Sequence, residues 1–327
     1  MGSCSNEGPQ VLVLTAPVDP TADVVIQHLT AAGVPFARFD AAQFPMEISL
    51  TATLDADDGW RACLGGVRLA GLRSVYYRRP RRFVFDPAIP IEQLNWCEGQ
   101  ARYGFWGVLE TLAVTWVNPP SAVQRAEYKP RQLRLARQAG LSVLPTMITS
   151  CPSDVTAFAS AAGGSIVTKA LYARTPRDAE GYPIGVLYTT EVSPHQYADP
   201  GITATAHLFQ TTIKSVYDVR LTVVGDKLFA AEIRRESGTG GLDWRKDHQD
   251  LCCQPCEVPA QVAHGVRQLM CSLELTFGAL DFAVDDAGSW WFYEINPNGQ
   301  WFWVERQTGL PISAALAELL EGRPWIA

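Results

Sequence analysis

ALDFAVDDAGSWWFYEINPNGQW, residues Ala279 to Trp301, decides how the chain is read. ALDFAV and WWFYEIN are two apolar strands joined by DDAGS, which makes them the arms of a hairpin. If Ala287-Gly288 is the turn, Asp286 faces Ser289 and Asp281 lies across from Glu294. Moving the turn by one residue each way preserves that parity. Glu294 and Asn296 are two apart, so they share a face with each other and with Asp281. Asp281, Glu294 and Asn296 thereby gather three hard oxygen donors suited to Mg²⁺, which keeps its remaining positions for phosphate oxygens and water. Such a site implies a nucleotide. The competing reading is a solvated strand face, but Phe282, Trp290, Trp291, Phe292 and Tyr293 make the hairpin apolar, and unpaired carboxylates buried among them are costly.

The rest of the chain is of the globular kind. It has 327 residues, 47% of them hydrophobic and 19% charged, enough for two or three subdomains. A net charge of -7 at a pI near 5.3 leaves no global footprint for nucleic acid or an acidic membrane surface. No apolar run approaches the ~20 residues that span a bilayer, and MGSCSNEGPQ lacks the basic and apolar regions of a signal peptide. A cytoplasmic protein is expected. Of the eight cysteines, Cys252, Cys253 and Cys256 stand together in LCCQPC. Without a second pair or a His cluster they are a weak zinc or redox signal and read as loop-borne thiols.

Three regions are expected, an α/β organisation throughout. Residues 1–118 form an N-terminal unit: strand QVLVLT, a helix from Ala22 to Ala32 ended by Gly33, strand VPFARFD, the cluster Arg78-Arg79-Pro80-Arg81-Arg82 after Val75-Tyr76-Tyr77, and a single helix from Ile91 to Leu112. In that helix Leu94, Ala101, Phe105, Val108 and Leu112 share one face. The glycine spacing matches no G-x-G-x-x-G loop, so no dinucleotide is assigned. Residues 119–208 hold one helix from Ser121 to Ala139, strand LSVLPTMIT, a helix capped by Ser153, strand SIVTK and a hairpin insertion at about 172–207. Residues 209–327 are dominated by strands, with LFQTTIK, DVRLTVVG and KLFAAEIR, the turn Gly225-Asp226, a helix from Ala260 to Thr276 and the hairpin quoted above.

A metal-bound triphosphate needs cations. Lys129 lies on the helix after Asn118-Pro119-Pro120, and Lys169 ends an otherwise apolar strand; both can reach phosphates as point charges. With these on the page a resemblance is plain. Asn-Pro-Pro, Lys129, Gly140 before Leu144-Pro145-Thr146, Lys169, Phe209-Gln210, Asp218-Val219-Arg220, Asp281 and Glu294-Ile295-Asn296-Pro297-Asn298-Gly299 follow one another as in the ATP-grasp superfamily. The likeness spans roughly Asn118 to Val304. Within it, YYRRP, LFQTTIKSVYDVRLTVVGDKLFAAEI, Asp243-Trp244-Arg245 and INPNGQWFWVE resemble the microviridin-type, or graspetide, peptide-modifying ligases.

That resemblance implies an ATP-grasp fold with an N-terminal pre-ATP-grasp domain, ATP and Mg²⁺ as cofactors, and a ribosomal precursor peptide, leader plus core, as substrate. By the same resemblance Lys129 and Lys169 contact phosphates, and Gln210, Thr212 and Ile213 contact adenine, partly through backbone. Asp218 and Arg220 hold the reacting peptide carboxylate. The position after the linker strand, often acidic for the ribose, is Lys214 and stays unassigned. Peptide contacts are expected from Arg78 and Arg79, from Tyr182 and Tyr188 in the insertion, and from Arg234 and Arg245; a homodimer is expected.

The expected chemistry is phosphorylation of an Asp or Glu side chain to an acyl phosphate. A Ser or Thr hydroxyl or a Lys amine then closes an ester or amide ring. Arg220 is the favoured grip on the acyl centre because its planar fork binds carboxylate or phosphate bidentately; the bland reading of Arg220 is an ion pair with Asp218 or Glu232. Alternatives are another ATP-grasp carboxylate-amine ligase, a small-molecule kinase or a nucleotide-binding module.

Overall fold

Strand β1, Val11–Thr15, is buried at every position, the continuous apolar run expected of a strand covered on both faces. Helix α1, Pro20–Ala31, follows it. Asp19 caps that helix by accepting from the backbone N–H groups of Thr21 and Ala22, and Gly33, at φ +69°, takes the left-handed turn that ends it. Strand β2, Phe36–Phe39, lies parallel to β1. A small antiparallel sheet follows from β3, Leu50–Asp55, β4, Gly59–Leu64, and β5, Val67–Arg68. Strand β6, Ser74–Arg79, pairs with the other edge of β1. The structure, a computed structural model, describes residues 8–55, 59–163, 165–172, 188–235 and 251–322.

The helix expected from Ile91 to Leu112 is α2, Ile91–Ala101, a π turn over Arg102–Trp106, and α3, Gly107–Glu110. The wider turn moves the packing face by one residue. Ala101, Phe105 and Leu109 are buried, with Val108 and Leu112 at the margin and Leu94 outside the cluster. Strand β7, Thr115–Val117, completes a parallel sheet in the order β2-β1-β6-β7.

Two further expectations of continuity fail, both at prolines. The helix expected from Ser121 to Ala139 is two, α4, Pro120–Ala126, and α5, Lys129–Gln138. Pro130 lacks an N–H and its ring would meet the carbonyl four residues back, so the helix restarts with Lys129 as its first residue. Likewise LSVLPTMIT divides at Leu144-Pro145 into β8, Ser142–Val143, and β9, Thr146–Thr149, which belong to different sheets. Helix α6, Pro152–Ala161, is capped at Cys151 without a side-chain bond; Ser153 sits inside it, with Pro152 supplying the helical φ at its start.

The central sheet has the order β11-β10-β12-β9, from β10, Ile166–Lys169, β11, Thr190–Val192, and β12, His207–Thr211. The expected insertion is woven into it where it is described. Strand β11 pairs with β10, and Tyr197 and Ile202 pack with Val155, Ala159, Ile166 and Phe209. Tyr182 and Arg245 lie outside the described residues.

The third sheet positions the site. It comprises β13, Tyr217–Val224, β14, Lys227–Arg235, β15, Leu251–Pro255, and, after helix α7, Ala260–Leu273, the strands β16, Phe277–Val284, and β17, Trp290–Asn296, in the order β15-β14-β13-β16-β17-β8. Val219, Leu221, Leu280, Phe282 and Phe292 pack one face against α5 and α7. The other face meets helices α8, Phe302–Thr308, and α9, Ile312–Leu320. There Val224, Phe277, Trp301 and Leu316 share a core with Val11 of the N-terminal sheet and with Val25 and Leu29 of α1.

Candidate active site

Cross-strand register assembles one polar row. Arg220 of β13 pairs with Asp281 of β16, which pairs with Glu294 of β17, and Asn296 follows two residues on. Side chains alternate across a sheet, so all four share a face with Asp218. Arg220 Nη1 stands 3.4 Å from Asp281 Oδ1, Lys129 Nζ is paired with Glu294, and Asn296 Nδ2 donates to Glu294 Oε1 at 3.2 Å. Arg220 and Asp281 side chains are 6% and 10% exposed, so these charges interact in a poorly screened setting. Arg220 thus pairs with Asp281, on the face it shares with Asp218, whereas Glu232, the other alternative, lies across from Val219 on the opposite face.

The donor set fits Mg²⁺. Two carboxylates and an amide oxygen on adjacent strands are few and hard, and leave room for phosphate oxygens. Among the described residues no group of three or more His, Cys, Asp or Glu is placed to hold a metal ion. Burial pushes the Cys253 and Cys256 thiols up to about 11.

Beside this row, between the central and third sheets, lies a cavity of about 230 Å³. Lys169, Gln210, Thr212, Ile213 and Asp218, all singled out in the sequence, line it together with Leu144, Val167, Lys214 and Tyr293. Lys169 Nζ donates to Gln210 Oε1 at 2.8 Å and sits 4.2 Å from the centroid of the Tyr293 ring. Gln210 in turn donates to Thr146 Oγ1 at 2.8 Å. Both functional groups of the Gln210 side chain are thus engaged, and its part in the cavity wall is to hold Lys169. Burial, with the Asp218 and Asp281 carboxylates nearby, raises the Tyr293 phenol well above its ordinary pKa.

Tyr293 was not anticipated. It enters the cavity wall through a β-bulge: Asp281 pairs with Glu294 but Phe282 pairs with Phe292, which leaves Tyr293 as the extra residue. The turn is also one residue longer than expected, since Asp285 N–H donates to the Ser289 carbonyl. The two departures offset each other, which is why the expected pairing of Asp281 with Glu294 is the one observed.

Several expected peptide contacts stand elsewhere. Arg78 is 1% exposed and donates to the Asn298 carbonyl and to Gln300 Oε1, each at 2.7 Å. It buttresses the loop after β17 and cannot face a peptide. Arg79 also donates to the Asn298 carbonyl, at 2.9 Å, but is exposed; burial of its polar head and the charge of Arg78 lower its pKa to about 10. Arg234 lies on the opposite face of the sheet from Arg220. There it donates to Glu232 at 3.0 Å and covers the Tyr217 ring at 4.4 Å. Burial alone would raise the Glu232 carboxyl, but hydrogen bonds from Arg234 and Gln254 outweigh it and leave the pKa lowered. Tyr188 is half-buried near the cavity residue Thr189.

Two buried amides hold β17 and the segment after it: Asn118, quoted in the sequence only as part of Asn-Pro-Pro, and Gln132, which was not singled out there. Asn118 Nδ2 donates to the carbonyls of Phe277 and Pro297, at 2.9 and 2.8 Å. Gln132 bonds the backbone of Ile295. Gln132 was findable, for it lies three residues beyond Lys129 and so on the same helical face.

No protein-family model and no curated protein matches the chain; solved structures do. Macrocyclase MdnC from Microcystis aeruginosa MRC, bound with precursor peptide MdnA, is 27% identical, with a TM-score of 0.83 over 95% of this chain and 99% of that one. Macrocyclase MdnB from the same organism is 26% identical, at 0.76 over 95% and 98%. A RiPP-associated ATP-grasp ligase of Chryseobacterium gregarium, in complex with ADP and a leader and core peptide, gives 0.85 over 97% and 98% at 24% identity. The chain has the ATP-grasp fold. Within that class it is built, over nearly its whole length, as the ribosomal-peptide macrocyclases are.

Proposed function

We propose that this chain is an ATP-dependent ligase that phosphorylates Asp or Glu side chains of a ribosomal precursor peptide and closes ω-ester or ω-amide macrocycles with Ser, Thr or Lys side chains. The observation that carries this reading is the row Arg220, Asp281, Glu294 and Asn296 on three adjacent strands, next to a cavity walled by Lys169 and Gln210. It sets a carboxylate grip beside a phosphate site.

Lys129 and Lys169 neutralise the triphosphate, while Gln210, Thr212 and Ile213 border the base. Asp281, Glu294 and Asn296 would hold Mg²⁺, which would supply charge neutralisation at the triphosphate. Arg220, with Asp218 beside it, orients the peptide carboxylate so that its oxygen attacks the γ-phosphorus as the bond to ADP breaks. A hydroxyl or amine of the same peptide then attacks the acyl carbon, loses its proton and expels phosphate. Arg79, Tyr188 and Arg245 remain the proposed peptide contacts, with Tyr182.

The test uses purified protein, ATP, Mg²⁺ and the peptide encoded beside its gene. Loss of one water mass per ring, with one ADP released for each, is the expected outcome; turnover of ATP with free amino acids alone would refute it. We also read the protein as a cytoplasmic homodimer joined through α2 and the π turn after it, where Ile91, Trp96 and Tyr103 are 79%, 67% and 74% exposed. No helix among the described residues is long and apolar enough to cross a membrane.

A further inference from the structure

We infer that Gln132 is a positioning residue for the metal-binding strand, its side-chain amide standing in for a neighbouring strand along the edge of β17. The inference deepens the Mg²⁺ and nucleotide reading above and rests on it.

Strand β17 is paired with β16 along its length, but on its other side β8 meets it, among the described residues, at Trp291 and Phe292. Beyond that point the outer backbone groups of β17 need other partners, because an unsatisfied buried N–H or C=O is costly. Gln132 supplies them at Ile295. Its Oε1 accepts from the Ile295 N–H at 3.1 Å and its Nε2 donates to the Ile295 carbonyl at 2.9 Å. The other Nε2 hydrogen goes to the Ala126 carbonyl at 2.6 Å. Gln132 is 2% exposed and every N–H of its amide is used.

Ile295 sits between Glu294 and Asn296. Its own side chain, 1% exposed, points into the core shared with α5 and α7. The two metal-directed side chains point the other way. Two bonds to one residue fix the orientation of its flanking peptide planes, and with them the direction in which Glu294 and Asn296 leave the strand. Lys129, one helical turn before Gln132, is meanwhile paired with Glu294. One turn of α5 thus sets both the carboxylate and the backbone that carries it. Asn118 holds the far end of the same segment at Pro297, so the strand is pinned on either side of Asn296.

The test is Gln132→Met, which keeps the side-chain length and removes both bonds to Ile295 together with the one to Ala126. Mn²⁺ binding is read by electron paramagnetic resonance in the presence of saturating ADP, and ADP binding is read separately without metal. We expect Mn²⁺ affinity to fall about tenfold, the scale of losing hydrogen bonds that orient a ligand set, with metal-free ADP affinity unchanged within about twofold. In kinetics the apparent KM for the metal should rise more than kcat falls. Gln132→Asn, which keeps an amide too short to reach Ile295, should behave in the same way and carries the test if Q132M does not fold. Wild-type Mn²⁺ affinity in either folded variant overturns the inference alone. Failure of the wild type to bind Mn²⁺ with ADP overturns the functional reading and this inference with it.

Discussion

Arg220 and Asp281 show what one residue pair contributes at this site. Both side chains are at least nine-tenths buried, so removing either leaves a charge in the interior, which typically costs about 3–5 kcal/mol. Arg220→Met should therefore lower the melting temperature and abolish ring formation together. Arg220→Lys separates the two effects, because it keeps the charge but loses the planar fork. It should melt near the wild type while ring formation, followed by mass spectrometry, slows about ten- to hundredfold. An unchanged rate would remove Arg220 from the acyl centre. Tyr293 makes the complementary case. A ring under an ammonium is worth about 0.5–2 kcal/mol, so Tyr293→Leu should raise the KM for ATP about three- to tenfold with kcat little altered, and Tyr293→Phe should restore it. Asp281, Glu294 and Lys169 were legible in the sequence because each breaks an apolar pattern, and Lys129 because it follows Asn118-Pro119-Pro120 in a chain with few lysines. Tyr293 was not, since among WWFYEI an aromatic residue reads as core.

At the scale of elements, what escaped the sequence was interruption rather than type. Pro130 and Pro145 were visible, yet a helical or extended period ran across each of them and suggested one element where there are two. In both cases the break is functional geometry: it makes Lys129 the first residue of α5 and places Leu144 at the cavity between two sheets. The π turn left no comparable mark, because its cause lies in how Phe105 and Leu109 meet the N-terminal sheet. The loop after β17 offers a direct test of such packing. A Cβ on Gly299 would lie 2.4 Å from the Cβ of Ala279, closer than real side chains approach. Gly299→Ala should push the loop off β16 and loosen its bonds to Arg78 and Arg79. We expect a lower melting temperature and a smaller stabilisation by MgADP in thermal-shift measurements. An unchanged response to MgADP would show that the loop does not govern the site.

For the molecule as a whole, the N-terminal sheet and the sheet that carries Asp281 and Glu294 are one structure. A doubly wound sheet ordinarily binds ligands beyond the carboxyl ends of its strands where the strand order reverses. Here the ends of β1 and β6 are closed by the chain's own Gln300, which accepts from Thr21 and Arg78. Tyr76 belongs to that buried seam. Burial pushes its phenol up to about 12, and that of Tyr77 likewise. A folded pKa above the ordinary value of 10 favours the neutral form. The stability it confers is complete below pH 10 and is lost as pH rises toward 12. Urea midpoints should fall steeply across that window, and less steeply in Tyr76→Phe; parallel curves would place the alkaline transition elsewhere.

Assembly is the last property to follow from the whole surface. Of the residues of α2, Ala101 is buried, while the outward side carries Ile91, Trp96 and, just beyond its end, Tyr103. We propose that these exposed apolar side chains, together rather than as one helical stripe, form the contact of the homodimer. It is also self-complementary. When two copies cross antiparallel at Cys97, Glu92 of one copy stands opposite Arg102 of the other, and Ile91 opposite Tyr103, which is the pattern of an isologous two-fold contact. Light scattering should therefore give a dimer for the wild type and a monomer for Trp96→Glu. Glu92→Arg alone should weaken the dimer by like-charge repulsion, and the exchange E92R with R102E should restore it. A wild type that stays monomeric at micromolar concentration, or a dimer untouched by W96E, would move the interface away from this helix. Because the outward side of α2 lies opposite its packing face on the N-terminal sheet, W96E should leave the affinity for MgADP unchanged.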